Sequence, residues 1–299
     1  MGGAHVSGTA QSEIGTITRV VLKHAREAFG NQQSIAEQWR ALNFTTAPDF
    51  ASAIRQYDRF VELLVESGAE VEYLPRAEGA GMDSIYVRDA SVVCDRGVIL
   101  CSMGKALRQG EPAAQETAFR AMGHAIAGSI VPPARLEGGD VVWLDRRTIA
   151  VGRGYRTNDA GIAQLGALLG DSIDELIVVP LPHWRGPGDV FHLMSMVSPV
   201  DQDLAVVYSP LLPVPFRETL LARGMAVVEV PDEEFERMGT NVLAIAPRRC
   251  LMLTGNPITR ARLERAGARV VEYDGDDISI KGGGGPTCLT RPMQRLDHA

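Results

Sequence analysis

The apolar positions along this chain alternate between two periods. Residues 17–24 form a β-branched run, which predicts a strand. Over residues 49–67 the apolar positions are Phe50, Ile54, Tyr57, Phe60, Val61, Leu64 and Val65. Steps of three and four place them on one face of a helix, with Asp49 at its start and Gly68 just past its end. Residues 71–74 read as the next strand. Then residues 85–94 and 98–102, both rich in β-formers, flank Asp95-Arg96-Gly97 and predict a hairpin. A helix over 110–123 follows, with Pro112 in its first turn.

The same order returns. Residues 141–144 and 148–152 predict a hairpin, 159–169 a helix and 175–180 a strand. Residues 194–200 and 204–208 predict a third hairpin, then helix 216–224 and strand 226–230. Residues 242–246 and 249–253 predict a fourth, then helix 259–267 and strand 269–273. One unit therefore recurs: hairpin, helix, strand. Four copies and an N-terminal partial one give an expectation of about five units, strands inside and helices outside, in quasi-circular order. A doubly wound sheet fits less well, because parallel strands need long crossovers and these turns are tight. No break in composition marks a second domain, so residues 16–299 are expected to form one. Residues 1–15, rich in Gly, Ser and Ala, read as a disordered lead-in without the basic-then-apolar pattern of a secretory signal.

Composition narrows the class without naming a function. The chain has 299 residues, is 45% hydrophobic and 22% charged, and has a mean hydropathy of −0.02. That suits a soluble globular protein with a sizeable core. Its formal net charge of −7 argues against wrapping nucleic acid or lying on an anionic membrane. No apolar run approaches the roughly 20 residues of a membrane span. The four cysteines form no disulfide framework and show no Cys-x-x-Cys metal spacing, so a reducing cytoplasm is expected.

Five stretches stand out chemically. Lys281 is followed by four glycines, Pro286, Thr287, Cys288, Leu289 and Thr290. Glycine costs backbone entropy, so the run implies left-handed backbone or close approach, unless it is only a linker to a floppy tail. Unpaired N–H groups there would lower the Cys288 pKa. The others are Asp83 to Asp89 (with Arg88), Glu137-Gly138-Gly139-Asp140, Gly152 to Asn158 (with Arg156), and Phe191-His192-Leu193-Met194. Each alone has an ordinary reading: an outward-facing strand residue, a polar turn, a solvated helix start, a core histidine. Together they supply a thiol nucleophile, a proton shuttle, paired carboxylates and an anion clamp. Paired carboxylates suit a guanidinium, whose five donors form a planar fork.

In this order the motifs resemble those of the guanidino-group-modifying (pentein) superfamily: arginine deiminases, dimethylarginine dimethylaminohydrolases and amidinotransferases. The resemblance spans residues 83–290 and implies a five-bladed ββαβ propeller of pseudo-fivefold symmetry. It implies Cys288 as nucleophile, His192 as general acid and base, and Glu137 and Asp89 as carboxylates on the guanidinium. Arg156 would clamp the substrate α-carboxylate, Asp83 would line the pocket, Arg88 would join the substrate-binding set, and Asp140 would orient the start of its hairpin. Arginine deiminases and amidinotransferases usually carry an Asp two residues after the histidine. Met194 stands there, as expected for dimethylarginine hydrolases. Arg88, by contrast, is the deiminase-like residue.

The implied reaction is hydrolysis of a methylated arginine to citrulline and an amine through a covalent Cys288 intermediate, without metal or organic cofactor. Arginine deimination or dihydrolysis is the runner-up, amidino transfer the third reading, and non-catalytic binding of an arginine-like ligand a rival of another class. A zinc site on Cys288 and His192 lacks soft ligands. The expected partner is a small guanidino molecule, with no nucleic acid or membrane. A homodimer is left open. The loop from His183 to His192 reads as a candidate flap.

Overall fold

The computed structural model describes residues 8–188 and 191–296. It begins with β1 (Gly8–Thr9) and β2 (Thr16–Leu22), followed by short helices α1 (Ala25–Phe29) and α2 (Gln32–Gln38). The long helix α3 (Phe50–Glu66) forms where the spacing predicts. Asp49 caps it by accepting the Ser52 amide at 2.7 Å, and Tyr57, Phe60 and Leu64 are buried along one face. Gly68 stops it at a φ of +97°. Strand β3 (Glu70–Tyr73) follows.

Four copies of the recurrent unit come next. They are β4 (Ser91–Cys94), β5 (Gly97–Leu100), α4 (Glu111–Ala121) and β6 (Ile126–Ser129); then β7 (Val141–Trp143), β8 (Thr148–Arg153), α5 (Asp159–Leu169) and β9 (Glu175–Pro180). The third has β10 (Val197–Asp201), β11 (Leu204–Val207), α6 (Val214–Ala222) and β12 (Ala226–Glu229), with the short helix α7 (Asp232–Phe235) after it. The fourth has β13 (Leu243–Ala246), β14 (Arg249–Leu253), α8 (Pro257–Arg265) and β15 (Arg269–Tyr273). In each, the first two strands pair antiparallel and the third, reached through the helix, pairs parallel to the second. The final strand is β16 (Arg291–Leu296).

The described strands make five small mixed sheets in an α/β fold. The partial N-terminal unit is completed from the other end of the chain: β16 pairs antiparallel with β2, which pairs parallel with β3, and β1 adds to β16. Apolar cores lie between sheets successive in sequence, and one packs β2 against β13 and β14. No helix among the described residues is long and apolar enough to cross a membrane.

Three expectations are corrected. Residues 85–94 are not strand throughout: Met82–Ile85 is a 3-10 turn and β4 starts only at Ser91. Turn bonds from the Ser84 amide to Gly81 and from the Tyr86 amide to Asp83 replace ladder bonds there. Residues 193–195 likewise turn before β10. Of the expected disordered lead-in, residues 1–7 lie outside the described residues, but residues 8–15 are ordered. Gln11 donates to the carbonyls of Arg146 and Ser172 at 2.7 and 3.1 Å, and Glu13 is buried against Arg88.

Candidate active site

The glycine run is a packing device, not a linker. A π-helical turn at Asp276–Ile280 delivers the chain to it, and Gly283 takes a φ of +76°, open to glycine without strain. Gly284 lies against the ring of Tyr86, where any Cβ would collide. Pressed down in this way, the run presents Cys288 to a cavity of about 260 Å³. Asp83, Asp89, Arg156, His192 and Met194 line the same cavity.

Behind the sulfur the groups form a chain. His192 Nε2 is 2.8 Å from Glu137 Oε2, and His192 Nδ1 is 4.0 Å from Asp89 Oδ1. Glu137 is fully buried; its Oε1 accepts the amides of Gly104 and Lys105 at 2.9 and 3.3 Å, and Arg156 stands 3.3 Å from Oε2. Asp140 accepts the Leu193 amide at 3.0 Å and the Thr157 hydroxyl at 2.6 Å, so it fixes the backbone next to His192. Asp89 Oδ2 takes Arg108 at 2.6 Å. Among the described residues, Asp89 Oδ1 is buried without a hydrogen-bond partner. A buried carboxylate oxygen left unsatisfied is costly, so a donor from the cavity would be favoured there. Asp89, Glu137 and His192 could each offer one atom to an ion within a 4.8 Å cluster, in which His192 Nε2 and Glu137 Oε2 are already hydrogen-bonded to each other.

The electrostatics oppose one expectation. Burial, then the charge of Asp89, pushes the Cys288 thiol up from its ordinary pKa; the hydrogen bond from Asn241 only partly offsets this. The expected lowering by glycine-run amides is not found. Burial disfavours the His192 cation, but Asp89, Asp140 and Glu137 outweigh it and raise its pKa to about 9. Burial would raise Glu137, yet the hydrogen bond and charge of His192, with Arg156 and Arg108, hold it well below the usual carboxylate range.

The structure brings together Cys288, His192, Asp89, Asp83 and Arg156 around one cavity, with Glu137 and Asp140 behind the histidine. Arg88 is the exception. It is 1% exposed and faces away from the cavity, with Nε donating to the Thr287 carbonyl at 2.8 Å and its guanidinium on Glu13 at 3.2 Å. The substrate-binding place expected for Arg88 is therefore corrected. Arg156 approaches Glu137, and Asp83 pairs with Lys105 at 2.7 Å. Sequence reasoning missed Lys105, Arg108 and Asn241. Lys105 and Arg108 follow Gly104 just beyond β5, a loop position that could have flagged them; Asn241 carries no local signal.

The family described as N,N dimethylarginine dimethylhydrolase, eukaryotic, matches residues 30–295. The chain belongs to that family. Its place among the dimethylarginine dimethylhydrolases also puts it in the guanidino-modifying pentein superfamily expected from its motifs. An N(G),N(G)-dimethylarginine dimethylaminohydrolase of Streptomyces coelicolor is 31% identical over 83% of this chain and 88% of that protein. An uncharacterized protein, YkgA, of Bacillus subtilis is 30% identical over 95% of this chain and 94% of its own length. Among solved structures, the dimethylarginine dimethylaminohydrolase of Pseudomonas aeruginosa, complexed with citrulline, shares the fold with a TM-score of 0.74 at 22% identity. That likeness covers 92% of this chain and 98% of the other.

Proposed function

We propose that this protein hydrolyses a C–N bond of N-ω-methylated arginine through a covalent intermediate on Cys288, giving citrulline and methylamine or dimethylamine. The observation that carries the reading is Asp89 Oδ1, without a hydrogen-bond partner among the described residues, at a cavity that also holds Cys288 and the apolar Met194. The carboxylate oxygen would take N–H donors of a guanidinium. Met194, 3% exposed, puts a thioether where a second carboxylate would grip an unmethylated guanidinium, leaving an apolar wall for methyl groups. Phe191 and Trp184 add apolar surface to the cavity. The named activity of the Streptomyces relative points the same way.

The residues then divide the work. The incoming cation offsets the Asp89 charge that raises the thiol, and the thiol proton passes to solvent. The thiolate attacks the guanidinium carbon, forming a C–S bond. His192, charged through its raised pKa, gives its proton to the departing nitrogen as the C–N bond breaks. Neutral His192 next takes a proton from water, whose oxygen attacks the same carbon. The C–S bond breaks as the new hydroxyl gives its proton to solvent, releasing citrulline and the thiolate and leaving His192 charged. Glu137, its oxygens taken by His192, Arg156 and two amides, acts as a positioning residue for the histidine. Asp83 serves the far end of the substrate, while Arg156, expected there as the α-carboxylate clamp, is held on Glu137 at 3.3 Å.

We also infer that the five sheets stand as blades about one axis, since the apolar cores link each sheet to the next and the last to the first. Four free cysteines fit a reducing, cytoplasmic setting.

The test is incubation with asymmetric dimethylarginine and, separately, with arginine, measuring citrulline, ornithine and released amine, with Cys288→Ala as control. Citrulline and dimethylamine, abolished in the variant, are expected. Ammonia from arginine with no turnover of the methylated substrate would overturn the substrate assignment, and ornithine would mark a second hydrolysis.

A further inference from the structure

The nucleophile has a neighbour that the reaction scheme above does not use. Asn241 is 5% exposed and sits in the segment leading into β13, with its backbone amide on the Met238 carbonyl at 2.9 Å. Its side-chain oxygen accepts two bonds from Thr287, the amide at 3.0 Å and the hydroxyl at 2.9 Å. Those two donors fix which way the amide points, because an NH₂ group there would face N–H and O–H. Nδ2 is thereby aimed at Cys288 Sγ, 3.4 Å away. Gly285 packs directly against this side chain, which keeps it in place.

The only other side chain bonded to the sulfur, among the described residues, is the Thr287 hydroxyl at 3.9 Å. Its one hydrogen goes to Asn241, so it can accept from a thiol but cannot donate to a thiolate. The neutral amide is also the right kind of donor for this cavity. A cation at the sulfur would repel a cationic substrate, whereas an amide N–H stabilises the anion without adding charge.

We propose that Asn241 is the residue that stabilises the Cys288 thiolate, its side-chain N–H donating to the sulfur while Thr287 locks the amide in that orientation. Asn241 offsets part of the burial and the Asp89 charge that act against ionisation. The division of labour is specific: Asp89 holds the substrate's positive charge, and Asn241 holds the nucleophile's negative one. Its effect on turnover rests on the nucleophilic role given to Cys288; its effect on thiol ionisation does not.

The experiment reads ionisation directly. The rate of Cys288 alkylation by iodoacetamide, an uncharged reagent, is followed against pH in the wild type, Asn241→Ser and Asn241→Asp, with the rate of Cys288→Ser subtracted. Serine retains an oxygen for Thr287 but is too short to reach the sulfur; aspartate keeps the shape and replaces the donor by an acceptor. The expected result is an alkylation pKa raised by about one unit in Asn241→Ser, the size of one hydrogen bond to a charged group, and by more in Asn241→Asp. Alkylation near neutral pH then slows roughly tenfold in Asn241→Ser. Thr287→Val removes the hydroxyl donor but keeps the backbone one, which loosens the amide, and should shift the pKa in the same direction by less. An unchanged pKa in both Asn241 variants overturns the proposal. So does a rise confined to Asn241→Asp, which would report only its added charge. Loss of turnover in the activity assay with a normal wild-type alkylation profile would tell against the substrate reading instead.

Discussion

At the scale of single residues the site is governed by competition between burial and neighbouring charge. His192 shows it most clearly: burial works against its cation, and three carboxylates reverse the outcome, raising its pKa to about 9. One of the three, Asp140, lies behind the histidine and holds the Leu193 amide and the Thr157 hydroxyl rather than the substrate cavity. Asp140→Asn keeps the shape and removes the charge, which lowers the histidine pKa. The raised pKa keeps His192 charged below about 9, so with His192 in its proposed role as the proton donor, activity is present at lower pH and lost as pH rises through that value. In the variant the alkaline limb of kcat/KM should move to lower pH by about one unit, the scale of a single charge a few ångströms away. An alkaline limb that stays in place would show that another group sets it. Asp140 itself is raised, by burial, to about 6, so the wild-type field on His192 weakens below that pH.

At the scale of elements, the glycine run decides where Cys288 sits. A methyl at Gly284 would meet the Tyr86 ring, itself buried beneath the cavity. Gly284→Ala should lift the run and displace Cys288, reducing kcat by about 100-fold, the usual cost of an ångström of misplacement. A variant with unaltered kcat would mean the loop yields without moving the sulfur. This element was legible in part. Four glycines before a cysteine announce close approach, but the surface approached, Tyr86, belongs to a stretch that reads as strand and folds as a turn. Elements with local signals came through cleanly: α3 has its Asp49 cap and Gly68 stop, and α5 and β9 fall on the expected residues. The missed ones lack such signals. Gly128 interrupts β6, and β16 carries the buried Arg291 and Arg295 and a proline, so neither alternates as a half-buried strand should. Of the site, residues within motifs were readable. Asn241 was not, because its partner lies 47 positions away and nothing beside it in sequence hints at sulfur.

At the scale of the molecule, the first and last described segments of the chain pair with each other. Strands β1 and β16 complete the first sheet, and just after β1 Glu13 faces buried cations. Arg88 contacts both Glu13 oxygens, at 3.2 and 3.3 Å. Arg291 donates to the Arg88 carbonyl, and burial together with the charge of Arg88 lowers its pKa to about 9. Glu13 is thus the carboxylate that makes burial of Arg88 tolerable, and Arg88 in turn holds the Thr287 carbonyl and donates its own amide to the Cys288 carbonyl at 3.3 Å. Glu13→Gln keeps the shape and strands the positive charge. Breaking a buried pair on one side costs about 3–5 kcal/mol, more than replacing both partners would, because the remaining ion has no counter-charge. Urea unfolding should show a loss of that order, and turnover should fall as well, since Arg88 is tied to the backbone carbonyls on either side of the Cys288 Cα. If stability falls while turnover of the folded fraction is intact, the N-terminal segment acts only as a brace. If stability changes by less than about 1 kcal/mol, the pair is no stronger than one at a solvent-exposed surface, and the buried arginines must be compensated from elsewhere.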